Sequence, residues 1–377
     1  MQWKAKIGLL ALGLCVGLVL VELVPRVLAG FMPGDVRGLA RVYAGRAKWE
    51  EMMVADPELG YRPRPGLDML YPSEGRNIVV RTTAHGLGDI GFRDIETKPP
   101  FDAIALGDSF TFCDDVPVET CWVRLLGERA GLSIASLGIS GYSTLAEQRV
   151  LRTYGKKLRP RLVLLGLFPN DFNDNLRFAE WKGSGTQDFW EWRKAREGRG
   201  AVRGWLASHS MAYRLFDAAM RSEESKTFRY KKDGLNLVLR TDRWISNAQQ
   251  AREREEGWRL MQEALLAMRE DAADIGAELV VVLIPSKEEV YWNVVRDALP
   301  PDAAKGIDRP LGLVEEFCNK EGIVVCDLRP AFEREAEKYR QLYLRVSGHW
   351  TDEGNALAAD AIASCLRARG LVAAAAQ

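Results

Sequence analysis

The sequence predicts an α/β protein whose mostly parallel sheet is covered by helices on both faces. Continuous apolar runs of strand length recur along the chain, segments with helical spacing separate them, and turn residues follow where the runs end. In sheets of this kind ligands bind at the carboxyl ends of the strands. We therefore expect the functional residues at that edge.

The predicted elements of this sheet follow one another from residue 101 onward. The strands are Ala103–Leu106, Ser133–Leu137, Leu162–Phe168, Glu278–Ile284 and Gly322–Leu328. Helical spacing predicts helices at Cys121–Ala130, Leu145–Tyr154 and Asn355–Arg367. We place this domain at residues 99–370.

The alternation of strands and helices breaks within the domain, and residues 176–246 are predicted to form a mostly helical insertion. Its amphipathic helix is expected at Val202–Met220. The tryptophans in and beside the insertion are Trp181, Trp190, Trp192, Trp205 and Trp244. Such rings either stack on sugars or pack the insertion onto the body, and packing is the commoner role.

The amino-terminal segment differs from the rest of the chain. Lys4 and Lys6 precede an apolar run, and residues 7–28 are long enough to cross about 30 Å of hydrocarbon. We predict a single-pass membrane anchor with residues 1–6 in the cytoplasm and the rest outside, on the periplasmic side. The alternative is a cleaved signal peptide, because Val27–Ala29 has the spacing of a cleavage site.

Between the anchor and the domain, residues 29–98 contain several prolines and mixed composition. They predict a stalk and an amino-terminal extension. One edge strand is expected there, at Asn77–Arg81.

Composition excludes several classes of function. Lys plus Arg equals Asp plus Glu, at 52 each, so no overall charge points to a nucleic-acid partner. The three histidines are scattered, and no CxxC or HExxH spacing occurs. We expect neither a metal site nor a cofactor.

The cysteines matter if the body lies outside the cytoplasm. Cys113 and Cys121 bracket a short acidic loop, and a disulfide there would contribute roughly 2 to 3 kcal/mol. Two free thiols are the alternative. Cys318, Cys326 and Cys365 are interpreted as small core residues.

Two sequence blocks suggest a serine nucleophile and its base. Ser109 lies in Gly107-Asp108-Ser109-Phe110, directly after a predicted strand, so a glycine turn can hold its hydroxyl at the sheet edge. His349 lies just ahead of a predicted helix that Thr351 can cap, and it can act as the base. The alternative for Asp108 or Ser109 is a helix cap.

Two further blocks follow predicted strands and offer oxyanion donors. Gly141 can bring a backbone N–H close to a developing oxyanion, or it can simply form a turn. The side-chain amide of Asn170 suits the same role, and a turn or helix cap is its alternative.

Taken together, these blocks resemble the SGNH (GDSL) hydrolase superfamily. The resemblance is strongest to its membrane-anchored, extracytoplasmic branch related to alginate O-acetyltransferase-like proteins. It covers roughly Asp56–Leu366, and the most similar stretches are Leu87–Asp94, Leu106–Phe112, Ile284–Tyr291 and Gly348–Thr351. The resemblance implies a flavodoxin-like, three-layer α/β/α sandwich.

The resemblance also implies roles for single residues. Ser109 would be the nucleophile and His349 the base, and the Ser109 N–H, Gly141 and Asn170 would form the oxyanion hole. The superfamily usually places an aspartate two or three residues before the histidine, where this chain has Ser347 and Val346. Ser347 and Asp352 are the candidates to orient the ring of His349.

Two functions are therefore expected from the sequence. The first is an acyl-ester hydrolase or O-acyltransferase, with acetyl as the acyl group, acting on an extracytoplasmic glycan, with a polysaccharide-modification complex as a further partner. The alternative is a catalytically impaired SGNH-like subunit that binds glycan or serves as a scaffold in a polysaccharide export or modification complex. This alternative is motivated by the absence of the usual aspartate.

Overall fold

The computed structural model describes residues 2–28, 49, 51–74, 76–196, 206, 210, 212–213, 227–240, 248–299 and 309–373. Its centre is a sheet of five parallel strands. In spatial order these are Val324–Asp327, Glu278–Leu283, Leu162–Leu167, Ala103–Gly107 and Ile134–Ser136. All five predicted strands are confirmed, with bounds that differ by one or two residues.

The order of the strands fixes where a site can form. Numbered along the chain from Ala103–Gly107, the order is 2-1-3-4-5, which is that of a flavodoxin-like doubly wound sheet. The direction of winding changes between Ala103–Gly107 and Leu162–Leu167. A crevice opens at such a point outside the carboxyl ends of the strands.

Two hydrophobic cores lie on opposite faces of the sheet. Along the first strand Ala103 and Ala105 belong to one core, whereas Ile104 and Leu106 belong to the other. This alternation follows from the two-residue period of a strand, and burial of both faces explains why the strand is apolar throughout. The helices on the two faces complete a three-layer arrangement.

Helices cover both faces of the sheet. One face carries Trp122–Ala130, Arg329–Ala336 and Asp352–Ala368, and the other carries Thr144–Thr153, Asp171–Gly183, Ala248–Ala273 and Leu311–Lys320. The short helices are Ser109–Phe112, Lys287–Val290 and Trp292–Val295, and the 3₁₀ turns are Val118–Thr120, Gly155–Leu158 and Arg296–Ala298. Thr351 caps the last long helix through a bond from the Gly354 amide to its hydroxyl, as predicted.

The amino-terminal extension is folded onto the body. It contains a two-stranded hairpin, Met53–Asp56 with Gly60–Pro63, and a three-stranded antiparallel sheet, Asp68–Pro72, Asn77–Thr83 and Phe92–Arg93. The predicted edge strand at Asn77–Arg81 was therefore wrong in its position. It is the central strand, because neighbours pair with it on both sides.

The insertion is only partly helical where it is described. It holds the helix Phe189–Arg196 and an antiparallel hairpin, Thr227–Lys232 with Leu235–Arg240. The sequence did not predict this hairpin within the insertion. Its inward residues Leu235, Leu237 and Leu239 alternate with more exposed ones, which is the pattern of a half-buried strand.

The tryptophans of this region pack against other rings where they are described. Trp181 is fully buried, and Trp190 stacks on Tyr61 of the extension. These contacts support the packing role of the tryptophans, not the role of an open platform for sugars. Trp205, Trp244 and most of the predicted helix Val202–Met220 lie outside the described residues.

A helix is present at the amino terminus, over Gln2–Leu28. Among the helices in the described ranges, none meets both the length and the apolarity needed to cross a membrane. The membrane-spanning anchor over residues 7–28 stays a prediction from the sequence.

Two disulfides are present, of which one was expected. Cys113 pairs with Cys121. Cys326 pairs with Cys365, which corrects their interpretation as small core residues. The second bond joins the strand Val324–Asp327 to the helix Asp352–Ala368, whose packed faces bring the two side chains together. Cys318 is free and buried.

Candidate active site

The turn after the strand Ala103–Gly107 presents Ser109 at the carboxyl edge of the sheet. Gly107 has a φ of 146°, and a Cβ there would lie 2.9 Å from the carbonyl oxygen of Gly166, so only glycine fits. Asp108 then caps the short helix Ser109–Phe112, since its Oδ1 accepts a hydrogen bond of 2.9 Å from the Phe110 amide. The Ser109 side chain is left half-buried.

His349 is brought to this serine by the fold. Its Nε2 lies 2.8 Å from Ser109 Oγ, although 240 residues separate the two in sequence. The ring of Phe110 packs edge-on against the imidazole, with the centroids 5.2 Å apart. A base within hydrogen-bond reach of a hydroxyl is the geometry that activates a serine nucleophile.

The other ring nitrogen of His349 meets a carboxylate that the sequence did not single out. Its Nδ1 lies 2.5 Å from Asp115 Oδ2. Asp115 comes six residues after Ser109, in the loop between Cys113 and Cys121. The acid that the superfamily pattern places just before the histidine is therefore supplied here by Asp115, from the loop that follows Ser109.

Of the two residues predicted to orient the His349 ring, Ser347 contacts it and Asp352 does not. Ser347 Oγ donates to Asp115 Oδ2 at 2.8 Å and lies 3.1 Å from His349 Nδ1, so it supports the acid and the base together. Asp352 instead accepts hydrogen bonds from Arg76 Nη1 at 2.8 Å and from Thr120 Oγ1 at 2.7 Å. No hydrogen bond joins Asp352 to His349 in the part of the chain that the structure describes.

A third serine completes the surroundings of Asp115. Ser73, in the amino-terminal extension, donates its hydroxyl proton to Oδ1 of Asp115 at 2.9 Å. Its hydroxyl also lies 3.0 Å from the Asp115 carbonyl oxygen. Both carboxylate oxygens therefore have partners, which fixes the orientation of the acid.

The expected oxyanion residues lie on the neighbouring loops. Gly141 is exposed with a φ of 77°, and a Cβ there would lie 2.7 Å from the Tyr61 hydroxyl oxygen. Asn170 precedes the helix Asp171–Gly183 without capping it through its side chain. Its Nδ2 donates one hydrogen bond, of 2.9 Å, to Asp174 Oδ2, so a second amide proton remains for a ligand.

The imidazole of His349 lies in a negative electrostatic environment. Burial alone would lower its pKa. The hydrogen bond and charge of Asp115 outweigh burial, with smaller contributions from Asp114 and Asp108, and raise the pKa of His349 to about 9. The cationic form of the ring is therefore strongly stabilised.

The carboxylate of Asp115 is stabilised in return. Burial opposes its ionisation, but hydrogen bonds from His349, Ser347 and Ser73 outweigh burial and leave its pKa below the ordinary value. Asp115 therefore stays charged at neutral pH.

Two more aspartates beside the site are hard to ionise. Burial raises the pKa of Asp108 to about 7 and the pKa of Asp114 to about 6. Asp114 accepts a hydrogen bond of 2.6 Å from Ser140, next to Gly141. It thereby joins the loop that carries the acid to the loop that carries the expected oxyanion donor.

Within the described ranges, no group of three or more histidine, cysteine, aspartate or glutamate side chains is arranged to hold a metal ion. A serine whose proton can pass to a carboxylate-supported histidine is equipped for acyl transfer.

Comparison with known proteins identifies relatives of this chain. Residues 238–377 match the family described as "SGNH hydrolase-like domain, acetyltransferase AlgX". The matched range contains His349 but not Ser109. The chain is also 26% identical over 146 residues to "Probable alginate O-acetylase AlgJ" of Pseudomonas putida, an alignment that covers 36% of this chain and 35% of that protein.

Solved structures of low sequence identity are also similar to this chain. A GDSL-like lipase from Bacteroides thetaiotaomicron is 13% identical, with coverage of 71% of this chain and 88% of that one and a TM-score of 0.34. The acetylxylan esterase Axe2 from Geobacillus stearothermophilus, as a catalytic mutant, is 12% identical, with coverage of 70% and 92% and a TM-score of 0.37.

The doubly wound sheet with a serine at its carboxyl edge is the architecture that the resemblance to the SGNH superfamily implied. Residues 238–377 are similar to the AlgX family, and a partial alignment shows similarity to AlgJ, which agrees with the resemblance seen in the sequence.

Proposed function

We propose that this protein is a serine-dependent acyl-ester hydrolase or O-acetyltransferase that acts on an acetylated polysaccharide. The observation that carries the proposal is the continuous hydrogen-bonded array from Asp115 through His349 to Ser109 at the carboxyl edge of the sheet. The similarity to AlgX and AlgJ supports acetyl as the acyl group and a polysaccharide as the acyl carrier.

The proposed reaction begins at Ser109. Its Oγ attacks the acyl carbonyl carbon while His349 Nε2 takes the hydroxyl proton. The developing negative charge on the carbonyl oxygen is stabilised by the Ser109 amide, Gly141 and Asn170. Collapse of this intermediate expels the sugar alkoxide, which receives the proton from His349, and leaves an acetyl group on Ser109.

The second half of the reaction regenerates the serine. A water molecule or a sugar hydroxyl attacks the acetyl group on Ser109, and His349 takes the proton of the attacking oxygen. Water gives hydrolysis, whereas a sugar hydroxyl gives transfer. Throughout, Asp115 holds the ring tautomer and stabilises the imidazolium.

The alternative function, an impaired glycan-binding or scaffold subunit, was motivated by a missing acid. Asp115 supplies an acid at 2.5 Å from the ring, so that motivation is removed. We therefore retain catalysis as the proposed function.

We also propose that the domain works outside the cytoplasm, on the periplasmic side. Two disulfides support this location, because such bonds persist mainly in oxidising compartments. Membrane attachment through residues 7–28 stays a prediction from the sequence. The location can be tested in intact cells by an alkaline phosphatase fusion, which is active only outside the cytoplasm.

The proposed chemistry is tested by labelling and turnover. Wild-type protein should react with a fluorophosphonate probe and hydrolyse p-nitrophenyl acetate, whereas Ser109→Ala should do neither and His349→Ala should lose turnover. Ser184→Ala is the matched control and should behave as wild type, because the Ser184 hydroxyl only donates to the Trp181 carbonyl oxygen at the end of its helix. Undiminished turnover in Ser109→Ala would reject the proposal.

The choice between hydrolysis and transfer needs a second measurement. Acetylated Ser109 can be trapped and detected by the mass of the intact protein. Added polysaccharide should accelerate loss of the acetyl group and become acetylated if transfer is the reaction. Loss at the same rate in water alone would indicate hydrolysis.

A further inference from the structure

The proposed base lies on a loop without regular secondary structure. The loop Leu344–His349, which we call the histidine loop, is closed by an isolated bridge between Tyr343 and Trp350 and by a bond of 2.9 Å from the Leu344 amide to the His349 carbonyl. These bonds fix its two ends. The peptides in between need other contacts to hold one conformation.

Lys287 supplies contacts from the sheet side of this loop. Its side chain is buried, and its Nζ donates to four consecutive backbone carbonyls. The distances are 3.2 Å to Leu344, 3.1 Å to Arg345, 3.3 Å to Val346 and 2.9 Å to Ser347. One buried ammonium therefore orients most of the peptide groups of the histidine loop.

Glu74 supplies the complementary contacts from the amino-terminal extension. Its carboxylate accepts from the amide of Val346 at 2.9 and 3.0 Å and from the amide of Ser347 at 2.8 Å. The carbonyls of the same two peptide groups belong to Arg345 and Val346, and both bond Lys287. The peptides there lie between a cation at their oxygens and an anion at their N–H groups, which favours one orientation of the peptide dipoles.

We propose that Lys287 and Glu74 are positioning residues that hold the histidine loop so that Ser347 and His349 meet Asp115. This proposal rests on the proposed function, in which His349 is the base. Lys287 follows the sheet strand Glu278–Leu283, and Glu74 follows the strand Asp68–Pro72. The two side chains thereby fix the position of His349 relative to both the sheet and the extension.

The consequence for Ser347 makes the link to chemistry direct. Its amide bonds Glu74 and its carbonyl bonds Lys287, while its hydroxyl bonds Asp115 and lies against the His349 ring. A rotation of this residue would move the hydroxyl away from the acid and the ring. A shift of about 1 Å in a catalytic group can lower a rate about 10²-fold.

The test compares two variants with two matched controls. Lys287→Met removes the ammonium at similar length, and Glu74→Gln replaces one acceptor by a donor at the same shape. Lys156→Met and Glu58→Gln remove charged groups from ion pairs away from the loop. We expect kcat for p-nitrophenyl acetate to fall about 10²-fold in the first pair at nearly unchanged KM, and to stay at the wild-type value in the controls.

A second measurement does not depend on turnover. The proton shared between His349 Nδ1 and Asp115 should give a far-downfield proton NMR signal in wild type and in Ser109→Ala. It should broaden or vanish in Lys287→Met and Glu74→Gln and persist in the controls. An inactive wild type that shows this pattern would reject the proposed function and still support the positioning role.

The proposal is overturned if folded Lys287→Met and Glu74→Gln both keep the wild-type signal and rate. Should Lys287→Met fail to fold, Glu74→Gln decides alone. Glu74 is only half-buried, so its replacement should leave the fold intact. A wild-type signal and rate in Glu74→Gln would then reject the proposal.

Discussion

At the scale of single residues, the array is completed by Asp115, which lies far from His349 in sequence. Its Oδ2 bonds the imidazole and the Ser347 hydroxyl, and its Oδ1 bonds Ser73. Ser347 occupies a position where the resemblance to the superfamily predicts an aspartate. In this chain it accordingly bridges the acid and the ring.

Replacement of Asp115 tests its role directly. Asp115→Asn keeps the size of the side chain but removes the charge and permits the wrong ring tautomer, so kcat should fall by about 10⁴. Asp352→Asn is the matched control, because Asp352 bonds Arg76 and Thr120 and should affect kcat little. Steady-state turnover of p-nitrophenyl acetate measures both. The reverse ranking of the two variants would contradict the assignment.

The pH profile offers a test of the electrostatics. His349 must be neutral to accept a proton, and its pKa is raised to about 9. The rate of inactivation by a fluorophosphonate should therefore rise with pH and level off only near pH 9. In Asp115→Asn the inflection should move to lower pH, since the hydrogen bond and charge that raise it are gone. A wild-type inflection at or below 6.5 would contradict this account.

Sequence reasoning found Ser109 and His349 because each lies at the end of a strand or the start of a helix, where position follows from local pattern. It missed Asp115, whose place depends on how a loop folds back. A signal was available, since two adjacent acids lie between cysteines just after the nucleophile. It also gave no role to Lys287, because its partners are backbone carbonyls that carry no sequence signal.

At the scale of elements, the loop between Cys113 and Cys121 carries Asp115 to the base. The disulfide joins the end of the nucleophile helix to the start of the helix Trp122–Ala130. Asp114, bonded to Ser140, fixes the same loop to its neighbour. The loop is therefore held at Cys113 and Cys121 by their disulfide and at Asp114 by its hydrogen bond with Ser140.

Removal of each disulfide separates loop placement from general stability. Both double variants, Cys113→Ala/Cys121→Ala and Cys326→Ala/Cys365→Ala, should lose roughly 2 to 5 kcal/mol of unfolding free energy in urea. Only the first should also lower kcat, by up to about 10²-fold, because only it carries the acid. Equal kcat in the two folded variants would show that the loop keeps its place without its disulfide.

How well the sequence predicted a strand depended on how much of that strand is buried and how long it is. The five central strands were located from apolar runs alone, since a strand buried on both faces has a continuous apolar pattern. The strands Asp68–Pro72 and Phe92–Arg93 were not foreseen, because the first is short and partly exposed and the second is only two residues long. Without them the strand at Asn77–Thr83 was misplaced at an edge.

At the scale of the whole molecule, buried acids make stability depend on pH in one direction. Burial raises the pKa of Asp108 to about 7, of Asp114 to about 6 and of Glu289 to about 7. It also raises the pKa of Glu147 far above its usual value, and neither of its carboxylate oxygens has a hydrogen-bond partner among the described residues. Each such group binds its proton more tightly in the folded state than in the unfolded chain.

The sign of the effect follows from linkage. A group whose pKa is raised by folding stabilises the fold below its unfolded pKa, and this contribution is lost as the pH rises through its folded pKa. The raised acids therefore lower stability from about pH 4 upward. His349, with a raised pKa of about 9, adds a loss of the same sign between about pH 6.5 and 9. Asp115 and Asp352, whose pKa values are lowered, act in the opposite sense only at more acidic pH.

We therefore expect activity and stability to change in opposite directions between pH 5 and 9, because neutral His349 serves catalysis whereas its cation stabilises the fold. The unfolding free energy in urea should be greater at pH 5 than at pH 9. Glu147→Gln, which cannot ionise, should be more stable than wild type at pH 8 and differ less at pH 5, so its profile should be flatter. Glu58→Gln, at an exposed ion pair, is the control and should keep the wild-type slope. A wild-type stability that rises from pH 5 to 9 would contradict the expected sign. A Glu147→Gln profile parallel to wild type would show that Glu147 ionises in the folded protein without penalty.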